Sequence, residues 1–202
     1  YRRTPIFSDL MTYLVINPYW TVPNTILLND IVPKALKNPD YIHKERIKIY
    51  AGWSENAPEI DPASVDWNRL SKNYQPYRLR QDPGPLNSLG TIKIMFPNQF
   101  DVYLHDTPSH SLFNRSMRAF SSGCIRIEKP LDLAVHLLDN PEYDQARLRK
   151  IIASRSETTL KLPRPILVML LYMTAWVDDE GRVQFRHDIY GRDQAIPVAI
   201  AP

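Results

Sequence analysis

A chain of 202 residues with 44% hydrophobic content is long enough for one domain with a real core and too apolar for a disordered polymer. Its net charge of +3 comes from scattered basic residues, which excludes the continuous cationic surface that nucleic acid requires. A single cysteine rules out an internal disulfide and a multi-thiolate zinc site, and the longest apolar run, residues 166–172, falls far short of the roughly 20 residues of a membrane span.

Residues 11–17 are rich in β-formers and stop at Asn17-Pro18, which predicts a strand ending in a turn. Tyr19, Trp20 and Pro23 follow, with Trp20 either anchoring a loop onto the core or lining a sugar or peptide groove. Asn29 or Asp30 is placed to cap a helix that carries Pro33 in its first turn and runs to Lys37, with a second helical turn reaching His43. Residues 46–50 alternate as a strand. Residues 51–73 have a different texture, with Pro58, Pro62 and many polar side chains around Val65, Trp67 and Leu70. Residues 30–76 therefore read as a small inserted lobe, held by a few apolar residues of its own and mobile enough to act as a lid.

Residues 76–81 predict a returning strand, broken by Asp82-Pro83-Gly84-Pro85. Residues 91–96 and 100–105 predict a hairpin around Pro97-Asn98-Gln99, with Phe100, Val102 and Leu104 on one face and Asp101, Tyr103 and His105 on the other. A loop over residues 106–120 leads to Cys124. A helix begins at Glu128-Lys129-Pro130, with Leu131, Ala134, Val135 and Leu138 at helical spacing and Asn140-Pro141 as its stop. A second helix, about 142–154, buries Leu148, Ile151 and Ile152, and its Arg147, Arg149 and Lys150 form a wet face. Residues 166–177 predict a strand too continuously apolar to leave one face in water, and Asp178-Asp179-Glu180-Gly181 turns it into a hairpin partner at 182–186.

A lone cysteine is most often a small buried apolar side chain. The setting of Cys124 is less bland, because Gly123 permits a tight turn that can aim two successive N–H groups at one oxyanion. A useful thiol needs an imidazole to take its proton, and His105, at a strand end, is the best placed of the five histidines. His43, His110, His136 and His187 fall on surfaces and loops. The base needs an acceptor on its other nitrogen, for which either the Asp106 carboxylate or a nearby backbone carbonyl serves. No pair of histidines has metal-ligand spacing, so no metal and no other cofactor is expected.

Tyr103-Leu104-His105-Asp106-Thr107-Pro108, followed after the 106–120 loop by Ser121-Ser122-Gly123-Cys124-Ile125-Arg126, resembles the signature of the L,D-transpeptidase (YkuD-type) catalytic domain. The likeness is to the large periplasmic enzymes of Gram-negative bacteria and extends to Asn17-Pro18-Tyr19-Trp20, Pro83-Gly84-Pro85-Leu86-Asn87-Ser88-Leu89-Gly90, Phe96-Pro97-Asn98 and Thr174-Ala175-Trp176. The resemblance implies a mixed α+β, β-rich fold: a sandwich or barrel core, two helices after the cysteine, and 30–76 as a capping subdomain within a catalytic domain over 1–202. It also implies that the family's first strand precedes Tyr1. Ser122 stands where much of the family has a histidine.

The activity implied is acyl transfer on peptidoglycan stem peptides. Cys124 would attack the carbonyl of the third residue, a diaminopimelate, and release D-alanine, and an amine of a second stem would resolve the thioester into a 3→3 cross-link. Gly123 and Cys124 N–H groups would hold the oxyanion, with His105 managing the proton. Tyr103 and Trp20 would wall the pocket, and Arg126 would meet a substrate carboxylate unless it forms a structural ion pair. Carbapenems would acylate the same sulfur. The expected location is the periplasm, with an inner-membrane anchor upstream as the only membrane contact. Alternatives with the same dyad use water or a protein amine as acceptor; a different class is a non-catalytic wall-binding module with Cys124 merely packed.

Overall fold

The computed structural model describes residues 2–195. Strand β1 (Phe7–Ile16) is built from alternating apolar residues, with Leu14 and Ile16 fully buried. It begins earlier than the expected 11–17 because Phe7 already pairs with Leu170 across the neighbouring strand. It stops at Asn17, which takes a left-handed backbone (φ 54) and whose amide donates to the carbonyls of Ile151 and Ser156.

After β2 (Trp20–Thr21) the chain turns at Pro23 into one helical run: α1 (Asn24–Ile26), a π-helical turn over Leu27–Ile31, and α2 (Val32–Lys37). The expected cap at Asn29 or Asp30 is therefore corrected, since both lie inside the helical run. Burial of Leu27 and Ile31, in line with Val32 and Ala35, carries the helix back to Asn24. The widened turn sits just before Pro33, whose ring cannot accommodate an ordinary turn preceding it. Asp30 instead pairs with Arg2 at 2.6 Å.

Next come α3 (Tyr41–Lys44), β3 (Ile47–Tyr50), β4 (Glu59–Ile60) and β5 (Arg78–Gln81). With β2 they form a four-stranded sheet in the order β2-β5-β3-β4. Its core gathers Trp20, Val22, Leu27, Ile31, Ile42, Ile49, Leu70, Leu79 and Leu89. This apolar cluster reaches beyond 30–76 on both sides, so the lobe has a core of its own rather than a few anchoring residues.

The remaining elements are β6 (Ile92–Met95), β7 (Leu104–His105), β8 (Ile125–Arg126), α4 (Pro130–Leu138), α5 (Gln145–Ser154), β9 (Thr158–Leu170), β10 (Ala175–Val177) and β11 (Val183–Phe185). The main sheet runs β8-β7-β6-β1-β9, antiparallel throughout except for the parallel β7–β8 pair. One face, carrying Leu14, Ile16, Ile92 and Ile94, packs under α4 and α5 through Ala134, Leu137, Leu138 and Leu148. The fold is thus mixed α+β and β-rich.

Two further expectations are corrected. The hairpin over 91–96 and 100–105 pairs only at Lys93↔His105 and Ile94↔Leu104. Between them Asn98 organises a broad loop, donating to the carbonyls of Phe96 (2.6 Å) and Val102 (2.7 Å) and accepting from the Phe100 N–H (3.0 Å). Asp101 is left-handed there, and Phe100 leaves the apolar row to meet the Phe7 ring at 5.0 Å while 45% exposed. The second concerns 166–177. β9 starts at Thr158, ends at Leu170 and is the outermost strand of its sheet among the described residues, so Leu167 and Met169, pointing away from the helices, are each 60% exposed.

Candidate active site

The site is set by the register of three strands. Lys93 is the cross-strand partner of His105, and His105 is the partner of Arg126 in the parallel β7–β8 pair. The parallel ladder is locked by Ile125 N–H to the Tyr103 carbonyl (3.1 Å) and Ile127 N–H to the His105 carbonyl (2.9 Å). Side chains of paired residues stand on one face and alternate along each strand. Leu104 and Ile125 therefore join the core, while Lys93, Tyr103, His105, Cys124 and Arg126 share the opposite face.

Cys124 Sγ lies 3.8 Å from the Asp101 carbonyl, an acceptor aimed there by the left-handed backbone of Asp101. Tyr103 flanks the sulfur, standing opposite Cys124 one step along the ladder from the Leu104↔Ile125 pair. Burial pushes the Cys124 thiol up from its ordinary value, opposed by these Tyr103 contacts and by the Lys93 charge. The Tyr103 phenol is also held well above its usual range, by burial first and then by the neighbouring sulfur.

His105 is 6% exposed, and its Nδ1 lies 2.5 Å from the Asp106 carbonyl. A carbonyl only accepts, so Nδ1 carries the proton and Nε2 keeps a free lone pair. Burial draws the His105 pKa down to about 4, leaving the ring neutral around neutral pH. The resting pair is thus a thiol and a neutral imidazole on adjacent strands, without a hydrogen bond between them among the described residues.

The orienting acceptor is accordingly the Asp106 backbone. Its carboxylate does a different task, accepting from the Thr91 N–H and hydroxyl (both 2.8 Å) and from the Thr107 N–H (2.7 Å). It thereby ties the end of β7 to the turn before β6.

Gly123 takes φ +136, a conformation that favours glycine. Its carbonyl accepts from the Thr4 hydroxyl (2.9 Å), and its N–H donates to Ser121 Oγ at 3.2 Å. The Cys124 N–H has no backbone partner among the described residues. Of the two expected oxyanion donors, one is free and one rests on a serine hydroxyl. Ser122 is exposed.

Arg126 is half-buried with no carboxylate partner among the described residues, and its Nε is buried without a hydrogen bond. Tyr103 packs against the lobe core while its ring lies 5.8 Å from that of His105. Trp20, read from the sequence as a core anchor or a pocket wall, is 9% exposed on β2 and packs within the lobe core. A cavity of about 370 Å³ lies elsewhere, between the lobe sheet and the Pro83-Gly84-Pro85 loop, and none of the site residues lines it.

The residue overlooked from sequence is Lys93, whose Nζ stands 4.0 Å from the centre of the Tyr103 ring. The signal was present in Ile92-Lys93-Ile94, a cation between two residues that are fully buried. Reading it required the strand register.

This arrangement joins a partly buried thiol, a neutral base with a free lone pair on the same face and a backbone N–H of Cys124 without a partner among the described residues, which suits acyl transfer through a covalent thioester. The model of the L,D-transpeptidase catalytic domain (YkuD) matches residues 1–157. The chain belongs to this L,D-transpeptidase family. A Haemophilus influenzae protein named "Putative L,D-transpeptidase" is 37% identical over 198 residues, 98% of this chain. The chain spans 39% of that relative's length. The family match covers the lobe, β7, β8 and both helices, and the likeness to the Haemophilus protein carries on through nearly all the rest.

Proposed function

We propose that the chain is a peptidoglycan L,D-transpeptidase domain in which Cys124 is the nucleophile and His105 the general base. As the sulfur attacks the diaminopimelate carbonyl of a donor stem, the S–H proton passes to His105 Nε2. The Cys124 N–H stabilises the tetrahedral oxyanion, joined by the Gly123 N–H once it leaves Ser121. Collapse breaks the C–N bond, the imidazolium gives its proton to the departing D-alanine amine, and a thioester remains. The amine of an acceptor stem then attacks, passes its proton to His105 and releases the thiolate, leaving a 3→3 cross-link. Arg126 holds a substrate carboxylate, and Tyr103 walls the pocket. The lobe built around 30–76 acts as a capping lid, and the protein works in the periplasm, held there by an inner-membrane anchor.

The observation that carries this reading is the shared face of Cys124 and His105 on paired strands, with His105 Nδ1 locked on the Asp106 carbonyl so that Nε2 is free. A neutral base is what proton transfer during attack demands.

The test is incubation with purified tetrapeptide muropeptides and analysis of products. Cross-linked dimers are expected; tripeptide alone identifies water as acceptor, and no product from the wild type overturns the enzymatic reading. Intact mass after carbapenem treatment should show one adduct on the wild type and none on Cys124→Ala. His105→Ala should fold and lose turnover.

A further inference from the structure

Lys93 is a cation in an unusual place. Its neighbours Ile92 and Ile94 are fully buried on the helix side of β6, so its stem rises on the face that carries Tyr103, His105 and Cys124. Its ammonium rests 4.0 Å above the Tyr103 ring centre, and no carboxylate pairs with it among the described residues. A partly buried ammonium that rests on an aromatic ring with no carboxylate bound to it is incompletely compensated. The charges that act on it are those of Cys124, Glu157 and Asp101, with Cys124 the strongest. Tyr103 links the two, since its ring lies under the ammonium and it stands opposite Cys124 one step along the parallel β7–β8 ladder.

We propose that Lys93 is the counter-cation of the Cys124 thiolate, positioned beside the sulfur by the Tyr103 ring, and that it sets the pH at which the nucleophile forms. The role rests on Cys124 being the nucleophile. It cannot fall to His105 at rest, because burial and the charges of Arg126 and Lys93 keep that ring neutral. During catalysis the S–H proton leaves for His105 Nε2, and Lys93 keeps its own protons throughout. As the negative charge appears, the ammonium gains the partner it lacks, and the sulfur is also flanked by Tyr103 and Asp101. Lys93 thus favours the thiolate over the thiol without touching substrate.

The test reads the thiol itself. The rate of iodoacetamide alkylation of Cys124 is followed from neutral to alkaline pH, and the loss of the S–H proton to solvent gives its midpoint. Lys93→Met is expected to raise that midpoint by about one pH unit, which is about a tenfold slower reaction at any pH below it. Lys93→Arg, which keeps the charge, should move it by less than half as much, and His105→Ala should leave it in place. A thermal melt establishes that each variant is folded, and Lys93→Gln replaces Lys93→Met if the latter does not fold. An unchanged midpoint in the neutral variant overturns the proposal. So does an equal shift in Lys93→Arg, which marks a packing role, or an equal shift in His105→Ala, which makes the imidazole the counter-ion. Absence of a carbapenem adduct on the wild type would overturn the transpeptidase reading and leave the alkylation result standing.

Discussion

The Asp106 carboxylate occupies the space that a side chain at Gly90 would need: a Cβ there would fall 2.4 Å from Asp106 Cγ, at a backbone with φ +62. The same carboxylate ties Thr91 and Thr107 together, and the same residue's carbonyl orients His105. Gly90 thus leaves room for the residue that anchors His105. Gly90→Ala is expected to cost about 2–3 kcal/mol in urea denaturation, from left-handed strain plus the clash. Acylation by a carbapenem should slow with it. In the double variant with Asp106→Gly the cost should be smaller than the sum of the singles, because the Asp106 Cβ, which would lie 2.5 Å from the new Cβ, leaves together with the carboxylate. Additive losses would show that the two residues are not coupled.

The depressed pKa of His105 makes stability depend on pH in a definite direction. The folded value is about 4 and the ordinary value 6.5, so the unfolded chain binds the extra proton first. The stabilisation is fully present above 6.5 and is lost as pH falls toward about 4. A difference of that size amounts to on the order of 3 kcal/mol. Carboxylates also titrate in the lower part of this window, so the comparison to make is wild type against His105→Gln in chemical denaturation. The variant should lose less stability on acidification, and equal losses would place the buried proton elsewhere.

Much of the site was legible before the fold because it is local and periodic. The alternation that put Tyr103 and His105 on one face holds, and the chain bends over Ser121, Ser122 and Gly123 with Gly123 at positive φ. What stayed hidden depends on pairing between distant segments. Lys93 acquires its role only from the Lys93↔His105 register, and Asp101 only from a loop that Asn98 ties together. Phe100 left its expected row because that loop interrupts the strand. Trp20 was open to two readings, and it packs within the lobe core. Burial of both faces at 166–177 failed for a related reason: an apolar run does not tell whether its strand is central or outermost.

That outer strand supplies a further prediction. Leu167 and Met169 are each 60% exposed on β9, and Leu10, the partner of Leu167 on β1, is 46% exposed. An outermost strand with an apolar face invites pairing with other chains. The double substitution Leu167→Thr, Met169→Thr should change stability by no more than about 0.5 kcal/mol, while Leu14→Ala on the opposite face should cost about 2–5 kcal/mol. Light scattering at rising concentration should show less self-association in the double variant. A large loss of stability would mean that this face is covered in solution.

Arg126 poses the sharpest question about substrate. It stands opposite His105 in the β7–β8 register, its Nε is buried without a partner, and burial pulls its pKa below the usual guanidinium value. A structural ion pair would have satisfied that group, and none is formed among the described residues. A carboxylate on the donor stem would do so with a charge-assisted, two-point contact. Arg126→Gln should therefore raise KM for a stem with a free carboxylate about tenfold, equivalent to about 1.4 kcal/mol, with a much smaller effect on the amidated stem. The melting temperature should hold or rise, since an unpaired buried charge has been removed. Arg126→Lys should restore only part of the binding, because a point charge does not reproduce the planar fork. Equal losses on the acid and the amide, or a fall in melting temperature, would make Arg126 a residue of the scaffold instead.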